Sequence, residues 1–114
     1  MLTRPSSAEV IGLEIKPRPE RFIRVTYKLY DSAAFQALHP VPRALYLDLA
    51  RRFNGHNNGC IAYSNREACH RLHIHPMFAC RAFRALEQLG LIVCTKRGSL
   101  KTRKSSEWKL TGVE

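Results

Sequence analysis

Residues 64–90, SNREACHRLHIHPMFACRAFRALEQLG, decide how this chain is read. The stretch is crowded with metal-ligand types: Cys69, His70, His73, His75 and Cys80. It also carries the punctuation of two short helices. Ser64 and Glu67 form an S-x-x-E capping box, in which a hydroxyl and a carboxylate satisfy orphan backbone donors of a first helical turn. The helix it opens runs through REACHRL, with Ala68 and Leu72 inward. His73-Ile74-His75 follows as a turn, with Ile74 as its buried plug. Pro76 suits the first position of a second helix, where its missing N–H would have had no partner. That helix is expected from Pro76 to Leu89 and stops at Gly90, which tolerates the left-handed conformation that ends helices.

The metal reading is the weaker of the two. A structural zinc ion takes four ligands at tight, paired spacings. His73 and His75 are close enough to chelate, but Cys69 and His70 point in different directions on their helix, and Cys80 lies beyond the turn. No assignment yields a set with recognised spacing, so neither a metal nor a cofactor is expected. The helical pattern, in contrast, is sustained. Ala79, Ala82, Phe83, Leu86 and Leu89 fall on the inward face of the second helix. Met77, Phe78, Cys80, Arg81, Arg84 and Gln88 fall on the outward one.

Outward from this core, HPVPRALYLDLARRFNG reads as a helix. Pro40 and Pro42 fit its first turn, and Val41, Leu45, Leu49 and Phe53 recur four apart on one buried face. Arg51 and Arg52 suit the last turn through the helix dipole and are read as solubility residues rather than contacts. Before it, DSAAFQAL is a short helix capped by Asp31 or Ser32 and ended at His39-Pro40. RFIRVTYKLY, residues 21–30, alternates: Ile23, Val25, Tyr27 and Leu29 on one side, Arg24, Thr26 and Lys28 on the other. Period two predicts an extended, strand-like segment. Residues 1–20, with Pro5, Pro17 and Pro19, read as a flexible arm, and Arg4 and Arg18, with Arg21 just beyond it, give it a basic character. CIAY is a short strand. LIVCT and EWKLT are two more, joined by the basic loop KRGSLKTRKSS around Gly98 into a hairpin, with Trp108 and Leu110 turned toward the helices.

The whole chain has 114 residues, enough for one domain. It carries 19 Lys plus Arg against 9 Asp plus Glu, a net charge of +10, which points to a polyanionic partner. No apolar run has membrane-spanning length. The N-terminus lacks the apolar core of a secretory signal, so a cytoplasmic, nucleoid-associated location is expected, with Cys60, Cys69, Cys80 and Cys94 reduced. The basic residues do not line one face of an amphipathic helix, so a membrane surface is not the expected partner. No nucleophile elbow, phosphate loop, paired-carboxylate motif or zinc-hydrolase motif is present, so no enzyme and no small-molecule substrate is expected.

The stretch YSNREACHRLHIHPMFACRAFRALEQLGLIV, residues 63–93, resembles the winged helix-turn-helix pattern of bacterial regulators and of phage and plasmid replication proteins. The chain also resembles a helix-turn-helix group of alphaproteobacteria and their mobile elements, in which SEWKLT is the closing strand. The resemblance covers about residues 22–112. It implies an α+β, mainly α fold of three to four helices with a small β-hairpin wing, a domain over 21–112, and double-stranded DNA as partner. The family usually caps its recognition helix with Ser or Thr; here the position is His75.

Physical chemistry points the same way. A major groove about 12 Å wide admits one helix with its side chains. Arg81 is the expected bidentate partner of a guanine edge, and Arg84 would reach a base or a phosphate. Met77 and Phe78 would touch a thymine methyl or pack. Ser64, Asn65 and Arg66, at the start of the preceding helix, suit phosphate, as do His70, His73 and His75. Lys96, Arg97, Lys101, Arg103 and Lys104 follow in the loop with no acid among them, and would lie on the backbone or in the minor groove. Three functions fit: a transcriptional regulator, bound as a homodimer through the 22–30 segment or the arm; an origin- or recombination-site-binding protein; or a winged helix used only for protein contacts.

Overall fold

Hydroxyl caps open the first described helices in the computed structural model, which describes residues 20–99, 101 and 103–111. The arm expected over residues 1–20, apart from Glu20, and the end of the domain at 112 lie outside the described residues. Thr26 Oγ1 accepts from the Leu29 N–H at 3.2 Å and opens α1 (Tyr27–Tyr30). Ser32 Oγ accepts from the Phe35 N–H at 3.2 Å and opens α2 (Ala33–Gln36). The strand expected over 21–30 is therefore not there. Tyr27, placed inward by the alternating pattern, is 88% exposed, while Val25 and Leu29 reach the core. Those two are four residues apart, which a helical turn brings to one side. The period-two pattern had no neighbouring strand to pair with, and a local cap prevailed.

α3 (Pro40–Arg52) places its two prolines in the first turn and buries Pro42, Leu45, Tyr46, Leu49 and Ala50. Phe53 leaves the helix in extended conformation. Asn57 donates to the Arg52 carbonyl at 3.0 Å and so satisfies one orphan acceptor of the helix end. β1 (Ile61–Ala62) then leads into α4 (Asn65–Leu72) and α5 (Pro76–Gln88). β2 (Ile92–Lys96) and β3 (Glu107–Leu110) close the described chain. The three strands are antiparallel in the order β1–β3–β2, with Trp108 facing Ile61 on one side and Cys94 on the other. The architecture is mixed α+β, with five helices and one small sheet among the described residues.

The core lies where α3, α5 and the sheet meet. Phe83 stacks on Trp108 with ring centroids 4.9 Å apart and planes 14° apart, and it meets Tyr63 edge-on at 5.8 Å. Trp108 Nε1 donates to the Tyr63 carbonyl at 2.9 Å, so the indole is buried without stranding its N–H. Asn58 reaches across from the loop before β1. Its amide donates to the Leu110 carbonyl at 3.0 Å, and its Oδ1 accepts from the Leu110 N–H at 2.8 Å.

Leu89 was expected inward but is 38% exposed. It follows the last helical residue of α5, and Gly90, at φ 75°, turns the chain there. The Gly90 N–H bonds to the Glu87 carbonyl and the Leu91 N–H to the Leu86 carbonyl, both at 3.0 Å. That is a Schellman closure, and it sends Leu91 rather than Leu89 into the core beside Leu86. Ile74, the expected plug, is half-buried against the core. No helix among the described residues is long and apolar enough to cross a membrane.

Candidate nucleic-acid interface

α5 lies against α3 and α4 through Ala79, Ala82, Phe83 and Leu86. Alanine at 79 and 82 lets the helix backbones approach closely, and Phe83 and Leu86 fill the deeper layer. The opposite side is open. Arg81 and Arg84 are exposed, and neither forms an ion pair with a described residue. Met77 and Phe78, one turn ahead, are about half exposed. The side chain of His75 caps the helix: its Nδ1 accepts from the Met77 N–H at 3.1 Å, and its ring edge meets Phe78 at 6.5 Å. The imidazole thus performs the task that Ser or Thr performs in the resembling pattern. Its acceptor is committed to the backbone.

At the start of α4, Ser64 Oγ accepts from the Glu67 N–H at 3.1 Å, while Asn65 and Arg66 are exposed. The return half of the expected capping box is replaced. Glu67 instead pairs with Arg52 at 2.7 Å. Arg52, read from sequence as a solubility residue, ties three elements together. Its guanidinium lies 4.2 Å over the Tyr63 ring and donates to the Ala62 carbonyl at 3.0 Å.

Asp48 completes this brace between α3 and α4. It accepts from the Tyr63 hydroxyl and pairs with Arg71 at 3.1 Å. Burial pushes the Asp48 carboxyl up, but hydrogen bonds from Arg71 and Tyr63 and the charges of Arg71 and Arg52 outweigh it, leaving the group below the usual carboxylate range. Burial and the Asp48 carboxylate push the Tyr63 phenol above its ordinary value. A carboxyl held lower in the folded state stabilises it above the unfolded value of about 3.9, and that stability is lost as pH falls through the folded value. Asp48→Asn is therefore expected to cost about 1–3 kcal/mol at neutral pH. The gap to wild type should narrow below about pH 4 in urea titrations run across the acid range.

The hairpin differs from the expected run of unopposed cations. Lys96 approaches Glu107 of β3 at 3.9 Å, and Arg97 approaches Glu87 of α5 at 3.6 Å. Acids distant in sequence neutralise the stem and tie it to α5. Lys101, Arg103 and Lys104 are exposed at the tip, with no ion pair to a described residue. The tip is narrow: Ser99 and Lys104 exchange backbone hydrogen bonds at 3.1 and 3.3 Å. A Cβ on Gly98 would lie 2.5 Å from the Lys104 carbonyl oxygen and 2.7 Å from the Ser106 nitrogen. Both neighbours are backbone, so Gly98→Ala must open the tip. The expected result is an unchanged core, read by Trp108 fluorescence, with weaker binding to any polyanion.

The four cysteines are free thiols, and no three His, Cys, Asp or Glu side chains gather as a metal-binding group among the described residues. No protein-family model and no curated protein matches the chain. A solved structure described as the N-terminal domain of a DNA binding protein is similar, with a TM-score of 0.59 and 19% identity over 96% of this chain and 83% of that one. At that identity the likeness is one of fold.

Proposed function

We propose that the chain is a winged-helix domain that binds double-stranded DNA at specific sequences and acts as a transcriptional regulator. In this reading α5 enters the major groove and the hairpin lies on the backbone or in the adjacent minor groove. The observation that carries it is the split character of α5: one side buried throughout, the other offering two exposed guanidinium groups without acidic partners among the described residues. Glu87, one turn after Arg84, holds Arg97, so the hairpin stem leaves from the flank of that same face. The similar solved domain is by name a DNA-binding one, in keeping with this reading. Asn65 and Arg66 at the start of α4, and Lys101, Arg103 and Lys104 at the hairpin tip, are assigned to phosphates. Ser64 and His75 support the two helix starts, and Met77 and Phe78 are assigned to thymine methyls.

A salt titration tests the polyanion part. Neutralising about five phosphates gives log K against log salt a slope near −4 to −5. Lys101→Ala should weaken all duplexes alike and flatten that slope by about 0.9. A slope near zero would leave a winged helix used only for protein contacts. Base preference, the second part, is tested through Arg81 and Arg84.

A further inference from the structure

A cleft lies away from the α5 face. It has a volume of about 780 Å³ and lies between the extended segment before α1 and the C-terminal end of α3. Arg21, Arg24, Arg51 and Arg52 line it together with Phe22 and Phe53. Arg52 is committed to Glu67 and the Ala62 carbonyl. Arg21, Arg24 and Arg51 are exposed and have no ion pair with a described residue. Phe22 is 83% exposed, and Tyr27, immediately after the cleft wall, 88%.

We propose that this cleft binds single-stranded nucleic acid. The proposal goes beyond the duplex reading and uses none of its residues. Guanidinium groups alone would suit any polyanion. Guanidinium groups interleaved with unpacked aromatic rings suit one whose flat faces are uncovered. In a duplex the base faces are stacked on one another and only edges and phosphates are offered. In an unpaired strand each base presents a face for Phe22 or Tyr27, while its phosphates meet Arg21, Arg24 and Arg51. A large exposed phenylalanine is otherwise a cost in water, and a phosphate-only contact gives it no use. The cleft also adjoins the surface assigned to duplex: Arg52 lines it and also lines the shallow depression bearing Ser64 and Arg66. A strand leaving an opened duplex would therefore pass from one set of cations to the other.

The test is fluorescence anisotropy on the full chain with labelled oligodeoxyuridylate and oligouridylate of about 15 nucleotides, a length that spans a typical single-strand site. Wild type should bind, and the tighter of the two oligomers names the sugar. Phe22→Ala should weaken binding about 5- to 100-fold, with Phe22→Tyr restoring it. Arg24→Ala with Arg51→Ala should weaken it at least tenfold and flatten the salt slope by about 1.4, the share of two phosphates on a single strand. These side chains are exposed, and an unchanged Trp108 emission and unfolding midpoint would show that the variants are folded. Arg81→Ala with Arg84→Ala should leave oligomer binding intact. The proposal is overturned if neither oligomer binds, if Phe22→Ala has no effect, if the Arg81 and Arg84 variant loses as much, or if an oligoglutamate peptide displaces the oligomer at equal concentration.

Discussion

A duplex selected by the wild-type protein from a random pool is expected to lose about 2–4 kcal/mol of binding free energy when Arg81 and Arg84 are both changed to alanine. A bidentate guanidinium contact to a base edge is worth about 1–3 kcal/mol, and two neighbours three residues apart on a helix do not add fully. Neither side chain is engaged by an acid among the described residues, so truncation leaves no buried charge behind. Stability should change by no more than about 0.5 kcal/mol, as for other exposed sites. A second selection with the variant should return a pool with relaxed preference at one or two positions. If affinity and preference both survive the double change, α5 is not the reading helix.

Phe83→Ala should have the largest effect on folding, a loss of about 3–5 kcal/mol. The ring is 6% exposed and sits between Trp108 and Tyr63, so its removal deletes two aromatic contacts and leaves a hole between α5 and the sheet. Small domains hold only about 5–15 kcal/mol in total, so much of the margin would go. Urea unfolding followed by Trp108 emission measures it directly, because the reporter is the ring against which Phe83 lies. Phe83→Leu, which keeps most of the volume, should lose less. An equal loss in both would mean that the stacking geometry, rather than the filled space, stabilises the site.

The two central helices and the hairpin were legible because their signals are local. Ser64 and Pro76 mark helix starts, Gly90 marks an end, and the spacing of Ala79, Ala82, Phe83 and Leu86 gives a face. Apart from Leu89, which the local turn at Gly90 carries outward, what failed depended on partners far along the chain. The 21–30 segment alternates like a strand, but a strand exists only where another is beside it. The hairpin cations looked unopposed because their acids, Glu87 and Glu107, lie outside the loop, and only the pairing of β2 with β3 and the packing of α5 bring them to Lys96 and Arg97. Arg52 and Asp48 were passed over singly. Their i, i+4 spacing on α3 was a visible sign that the pair shares a helix side, but only the fold brings Tyr63, Glu67 and Arg71 to it.

The Asn58 carboxamide bears on how copies of this protein can associate. By occupying both backbone groups of Leu110 it mimics the next rung of the two-residue β1 and covers the β3 backbone that β1 is too short to reach. β1 and β2 are the two borders of the sheet, and the Asn58 side chain denies another polypeptide the stretch of β3 that runs on beyond β1. Asn58→Ala should uncover that stretch, and self-association at high protein concentration would be the visible sign.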